Sequence, residues 1–221
     1  MQPHTLYSEV LFVASEVKAS GADCIITLGG GSLIDGAKGI AFAIANEADT
    51  MEKMDGLFKE SNSHRQKDGL RMSSPEHNLK PSTISIICVT TTLSAGEYNP
   101  VGGATHDGTK HKQLFVDPSN TGPKVIIMDP ELTLTTPERV WLSTGLRAVD
   151  HCVETICSSK PKKEGSVYSI KGIRLLIPAL LKTKKEPGDL EARLKAQLGS
   201  AESMKAYLIE GVPVGESCFW L

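Results

Sequence analysis

Two groups of residues in this chain have types and spacings suited to chemistry. The first is Gly29-Gly30-Gly31-Ser32, set between the apolar run Cys24–Leu28 and a helical pattern from Leu33 onward. Glycine belongs where backbone takes φ > 0 or approaches a neighbour closely, and the N–H groups at a helix start attract anions. Those of Gly30, Gly31 and Ser32 therefore suit a pyrophosphate, with Ser32 as a candidate N-cap. Neither standard phosphate motif is met. Ile34 stands where G-x-G-x-x-G requires its third glycine, and Ala37 follows Gly36 where a P-loop requires lysine. On spacing alone, an anion cradle and a merely tight turn both remain open.

The second group is Arg147, Asp150, His151 and Glu154. At 3.6 residues per turn they share one arc of a helix, with Ala148, Val149, Cys152, Val153 and Ile156 on the other side. The apolar side reads as core. The polar side is either a solvated face laced with i,i+3 and i,i+4 pairs or a reaction surface.

The elements that must hold these groups follow from the apolar runs. CIITL (24–28), TISIICV (83–89) and KVIIMD (124–129) are β-rich without alternation, as strands buried on both faces of a parallel sheet would be. The first two flank the glycine turn and its helix, which makes a βαβ unit. Residues 47–82, rich in Lys, Glu, Ser, Asn and Asp, read in part as a mobile surface excursion. From Thr136-Pro137, an N-cap and first-turn pair, the pattern is helical over roughly 137–158, 165–182 and 188–209, with KKEPGD as the breaker between the last two. The layout is an α/β half followed by a helical half, divided near residue 133.

Composition sets the outer limits. With 221 residues, 40% hydrophobic and 23% charged, the chain can bury a substantial core. A net charge of −2 gives no electrostatic reason to expect nucleic acid or an anionic membrane. Cys24, Cys88, Cys152, Cys157 and Cys218 are odd in number and contain no C-x-x-C, so reduced core thiols are expected rather than a disulfide framework or zinc knuckle. The opening MQPHTLYSEVLFVASEV lacks a basic segment followed by an apolar one, and LLIPALL (175–181) is too short to span a bilayer. The chain reads as cytoplasmic.

The string GGGSLIDGAK resembles the G-G-G-S-x-x-D-x-A-K signature of the iron-containing alcohol dehydrogenases, a family that includes the maleylacetate reductases. The likeness continues in order through TTTLSAGEYNP, PKVIIMDPELTLTTP and STGLRAVDHCVE, covering about residues 14–182. It implies a dehydroquinate synthase-like fold, with an α/β dinucleotide-binding domain over 1–132 and an all-helical domain over 133–221. NAD or NADP and the substrate would lie in the cleft between them. By position, Gly29, Gly30, Gly31 and Ser32 would cradle the pyrophosphate, with Asp35 and Lys38 on the following helix. Thr91, Thr92 and Ser94 would touch the cofactor from the second segment, and Lys124 from the third.

In metal-dependent members an Asp and a His three residues apart bind iron or zinc. His151 stands at the position of the metal-binding His, but Arg147 occupies that of the Asp, and a guanidinium cannot ligate. This departure is closer to the maleylacetate reductase branch. There Arg147 would grip a substrate carboxylate bidentately and His151 would supply the proton. The resemblance thus implies an NAD(P)-dependent oxidoreductase acting on a small alcohol, aldehyde or keto-acid, with a homodimer compatible. It also implies a chain incomplete at both ends, lacking a first strand and helix and a later His-containing region. The alternative is a catalytically incompetent remnant that binds only nucleotide or a partner chain.

Overall fold

The computed structural model describes residues 1–68, 78–118, 122–159 and 161–210. Cys218, the terminal CFWL and residues 69–77 of the polar stretch lie outside the described residues. The chain divides into two compact units, Met1–Val89 with Asn99–Ile127, and Thr90–Tyr98 with Met128–Leu221. Among the described residues, no helix is long and apolar enough to cross a membrane.

The first unit is an α/β region. It contains α1 (Tyr7–Ser20), β1 (Cys24–Gly29), α2 (Gly31–Ala45), α3 (Met51–Asp68), β2 (Ser85–Thr90), β3 (Val101–Thr105), β4 (Lys112–Val116) and β5 (Val125–Met128). One sheet has the order β1-β2-β5. Ser85 N–H donates to Asp23 O at 3.1 Å and Lys124 N–H to Ile86 O at 2.9 Å, so the three strands start side by side and run parallel. Ile34, Ala37 and Ala41 of α2 cover one face, packing on Ile25, Ile84, Ile86 and Cys88. On the other face Ile26, Leu28, Val125 and Ile127 are exposed.

The opposite side of α2 sends Ile40, Phe42 and Ala43 into a second core with Tyr7, Val10, Met54, Phe58 and Phe115. Phe58 stacks on Phe115 with ring centroids 4.2 Å apart. Within residues 47–82, Met51–Asp68 is a helix packed on this core, so the surface excursion expected in part of that stretch does not lie there. Met54, Leu57, Phe58 and Ser61 recur at i, i+3, i+4 and i+7 and are all buried, which makes α3 an amphipathic helix with one narrow apolar stripe. Two further elements lie outside the sequence reading. One is α1, closed by Gly21 at φ 66°. The other is an antiparallel β3–β4 hairpin registered from Val101↔Val116 to Thr105↔Lys112.

The second unit is helical, with α4 (Glu138–Ile156), α5 (Lys163–Lys185) and α6 (Leu190–Glu210) at the three expected places. Trp141, Ala148 and Cys152 of α4 meet Leu176, Ala179 and Leu180 of α5, Ala196 of α6, and Leu93. Gly145 permits this approach, since a Cβ there would stand 2.4 Å from Leu180 Cδ2. Arg193 is buried, with its guanidinium 4.7 Å from the Trp141 ring and a 2.8 Å bond to Thr133 O. Asp189 Oδ1 caps α6 by accepting Ala192 N–H at 2.8 Å. Thr136 does not cap α4. Its hydroxyl donates instead to Thr91 O at 2.6 Å, and Pro137 is the residue at the helix boundary.

Phe58→Ala tests α3 as a core element. Removing a fully buried ring from the aromatic stack should cost about 3–5 kcal/mol of unfolding free energy in urea titration. A loss below about 1 kcal/mol would return this stretch to the surface.

Candidate functional site

In the first unit, β1 ends at Gly29 and α2 begins two residues later. Gly29 has φ 159°, and a Cβ on it would press Leu33 Cδ2 at 3.0 Å. Gly30 is the N-cap, extended at φ −97° and ψ −170°, and it makes no side-chain cap. Of the triplet, only Gly29 has a φ in the range that favours glycine. By helix geometry the N–H groups of Gly31 and Ser32 have no intrahelical acceptor, and no acidic side chain occupies the first turn. The positive end of α2 is therefore not neutralised from within. Ser32 is inside the helix rather than its N-cap. Its Oγ accepts His4 N–H at 3.2 Å, and its carbonyl accepts the Thr5 hydroxyl.

Asp35 and Lys38 face the β3–β4 hairpin. Lys38 is buried and its ammonium donates to Val101 O at 2.7 Å. Asp35 pairs with Lys112 at 3.3 Å. Loss of water around Asp35 raises its carboxyl above the usual range, with Lys38 and Lys112 pulling the other way. Lys112 is a residue the sequence reading missed. Its signal was the Asp107-Gly108 turn between two β-rich runs, which marks a hairpin.

Lys124 is not brought to the glycine turn. It precedes β5 at the starting ends of the parallel strands, whereas Gly29 closes β1 at the finishing end. Lys124 instead lines a cavity of about 290 Å³ with Lys38, Ser82, Thr83 and Asp117.

In the second unit, Thr91, Thr92 and Ser94 follow β2 on one short segment. Thr92 Oγ1 lies 3.2 Å from Ser94 Oγ. On α4, Arg147 bonds Asp150 and lies 3.5 Å from Glu154, so the predicted polar arc exists as a charged cluster. The expected split between faces is only partly observed. Val153 and Ile156 are exposed, while His151 joins Ala148 and Cys152 on the buried side, since it sits at the edge of the arc nearest them.

His151 is 6% exposed, its ring is 5.0 Å from that of Tyr207, and its Nδ1 is buried without a hydrogen-bond partner. Desolvation, with the Arg147 charge second, lowers its pKa to about 4, against a smaller upward pull from Asp150. At neutral pH the imidazole is uncharged.

The donor set does not fit a metal centre. Among the described residues, no three His, Cys, Asp or Glu side chains gather as a metal would need. The cation nearest His151 on its own helix is Arg147, which opposes a second positive charge.

The chain belongs to the iron-containing alcohol dehydrogenase family, whose family model matches residues 1–130. It is 35% identical over 217 residues to Dehydrogenase ALT3 of Alternaria alternata, covering 92% of this chain and 53% of that protein. It is 26% identical over 193 residues to the NAD-dependent methanol dehydrogenase of Bacillus methanolicus, covering 87% of this chain and 45% of that one. The crystal structure of maleylacetate reductase from a Rhizobium species superimposes with a TM-score of 0.68 at 26% identity, covering 93% of this chain and 47% of its own. The chain therefore spans about half the length of the relatives it matches.

Neutral burial of His151 makes a pH prediction. The unfolded imidazole takes a proton near pH 6.5 and the folded one only near 4, so stability is full above 6.5 and falls as pH drops toward 4. Between pH 7 and 4.5 this should remove about 2–3 kcal/mol. In His151→Gln the urea midpoint should fall less over that window, and parallel curves for the two proteins would contradict the burial effect.

Proposed function

We propose that this chain carries the cofactor cradle and a substrate-binding helix of an NAD-dependent oxidoreductase. The reaction class is interconversion of an alcohol with an aldehyde or keto group, and the preferred substrate carries a carboxylate. The observation that carries this reading is the β1–α2 turn, a glycine-lined strand-to-helix junction whose helix end is uncapped by side chains. Family membership supports the oxidoreductase class, and the NAD-dependent relative supports the cofactor.

Bound NADH would supply the hydride. The chain's own residues have other tasks. In the first unit the N–H groups of Gly31 and Ser32 hold the pyrophosphate; in the second, Thr91, Thr92 and Ser94 are candidate dinucleotide contacts that family membership supports. Arg147 binds the substrate carboxylate in competition with Asp150 and Glu154, which otherwise hold the guanidinium on α4. Neutral His151 hydrogen-bonds the reacting oxygen, and the proton that completes the alcohol there comes from solvent water. No step runs through a metal.

Gly30→Val tests the cradle. The extended backbone of Gly30 suits valine, so the variant should fold while its side chain fills the space before α2. NADH affinity, followed by nicotinamide fluorescence, should fall at least about tenfold, the scale of a clash exceeding 1.4 kcal/mol. Parent-like affinity in the folded variant would contradict the cradle. Arg147→Ala should weaken binding of a keto-dicarboxylate by about tenfold in calorimetry, as expected for a lost charge-assisted bond, and leave a neutral alcohol unaffected. Equal losses for both ligands would assign Arg147 to packing.

A further inference from the structure

The segment that follows β2 is held in an unusual way. Gln197 Nε2 reaches Thr90 O at 3.4 Å, and the Thr136 hydroxyl donates to Thr91 O at 2.6 Å. Leu93 N–H donates to Thr144 Oγ1 at 3.1 Å, and Ser200 Oγ donates to Leu93 O at 3.1 Å. Four polar side chains, from α4, from α6 and from the residue pair before α4, thus bind the main chain of Thr90–Leu93. Gln197 and Ser200 are each 1% exposed, in a helical core where apolar residues would otherwise pack.

Two further observations distinguish this from an ordinary connection. Leu93 and Ala95 are fully buried, while Thr91, Thr92 and Ser94 between and beside them remain half-buried. Ala95 has φ 62°, a left-handed conformation that alanine rarely adopts and that persists only where surrounding structure over-determines it. Gln197 Oε1 is also buried without a hydrogen-bond partner, an arrangement that disfavours stability. Polar pins in a core, a strained residue and an orphaned acceptor are costs a stability-only loop would not retain. They are what a rigidly held binding loop requires.

The geometry points to Gln197, Ser200, Thr144 and Thr136 as positioning residues, which fix the backbone so that Thr91, Thr92 and Ser94 meet the cofactor pre-arranged. This rests on the dinucleotide function proposed above. None of the four touches the cofactor in this account; each acts through the main chain of the segment. A loop already ordered loses less conformational entropy on binding, and the gain appears as affinity.

Ser200→Ala removes one pin with little change in volume. NADH affinity should weaken roughly three- to tenfold, the range of a single hydrogen bond, with the thermal midpoint within a few degrees of the parent. Ser203→Ala is the control. Its hydroxyl donates to Ser200 O within α6 and makes no bond to the segment, so affinity should be unchanged. In a Thr91→Ala/Thr92→Ala/Ser94→Ala background, Ser200→Ala should cause no further loss, because the groups it positions are gone. Parent-like affinity in Ser200→Ala, equal losses in Ser200→Ala and Ser203→Ala, or additive losses in the combined variant would each overturn the positioning role. Absence of saturable NADH binding by the folded parent would instead overturn the dinucleotide function, and the positioning role with it.

Discussion

The first unit depends on one helix buried on two sides. Ile34, Ala37 and Ala41 of α2 seal one face of the parallel sheet, while Ile40, Phe42 and Ala43 enter the aromatic core. A helix clamped this way cannot shift along its axis without opening both cores, and interiors packed near crystal density resist such shifts. Its first turn is therefore fixed relative to the end of β1. Everything proposed for the glycine turn follows from that fixity. Anion binding by main-chain N–H groups needs a rigid helix end whose first N–H groups have no partner within the helix.

The second unit poses a different constraint, the management of charge on α4. Arg147 engages Asp150 and Glu154, and one turn away His151 is buried neutral. A protonated His151 would face both desolvation and the guanidinium. The same arrangement opposes a second positive charge beside Arg147. The substrate proposal follows Arg147 rather than His151 because only the guanidinium is charged, and it requires a substrate carboxylate to displace Asp150 and Glu154.

Much of this was legible in the sequence. The three parallel strands are short runs of β-branched residues, and the three long helices are bounded by Pro137 and the Pro187-Gly188 breaker, so local signals and tertiary structure agree there. The helix α3 was not read because Lys, Glu, Ser and Asn dominate it, and its stripe of Met54, Leu57, Phe58 and Ser61 is only one residue wide in places. The β3–β4 hairpin has short strands, and Gly102-Gly103 dilutes the β signal of the first. Lys124 lies apart from the glycine turn for a geometric reason. A residue that precedes a parallel strand lies at its starting end, opposite the loops where such sheets bind ligands. The pins on the segment after β2 were invisible, because Thr136, Gln197 and Ser200 are distant in sequence and only folding brings them to one main chain.

The central claim is that NADH binds at the start of α2. Amide ¹H–¹⁵N spectra recorded during an NADH titration of the full chain test this most directly, because they locate the ligand as well as detect it. The account predicts that the Gly30, Gly31 and Ser32 signals shift saturably, while those of Ser82, Asp117 and Lys124 at the other end of the sheet stay in place. Shifts confined to Ser82, Asp117 and Lys124, or no shifts in a folded protein, would contradict it.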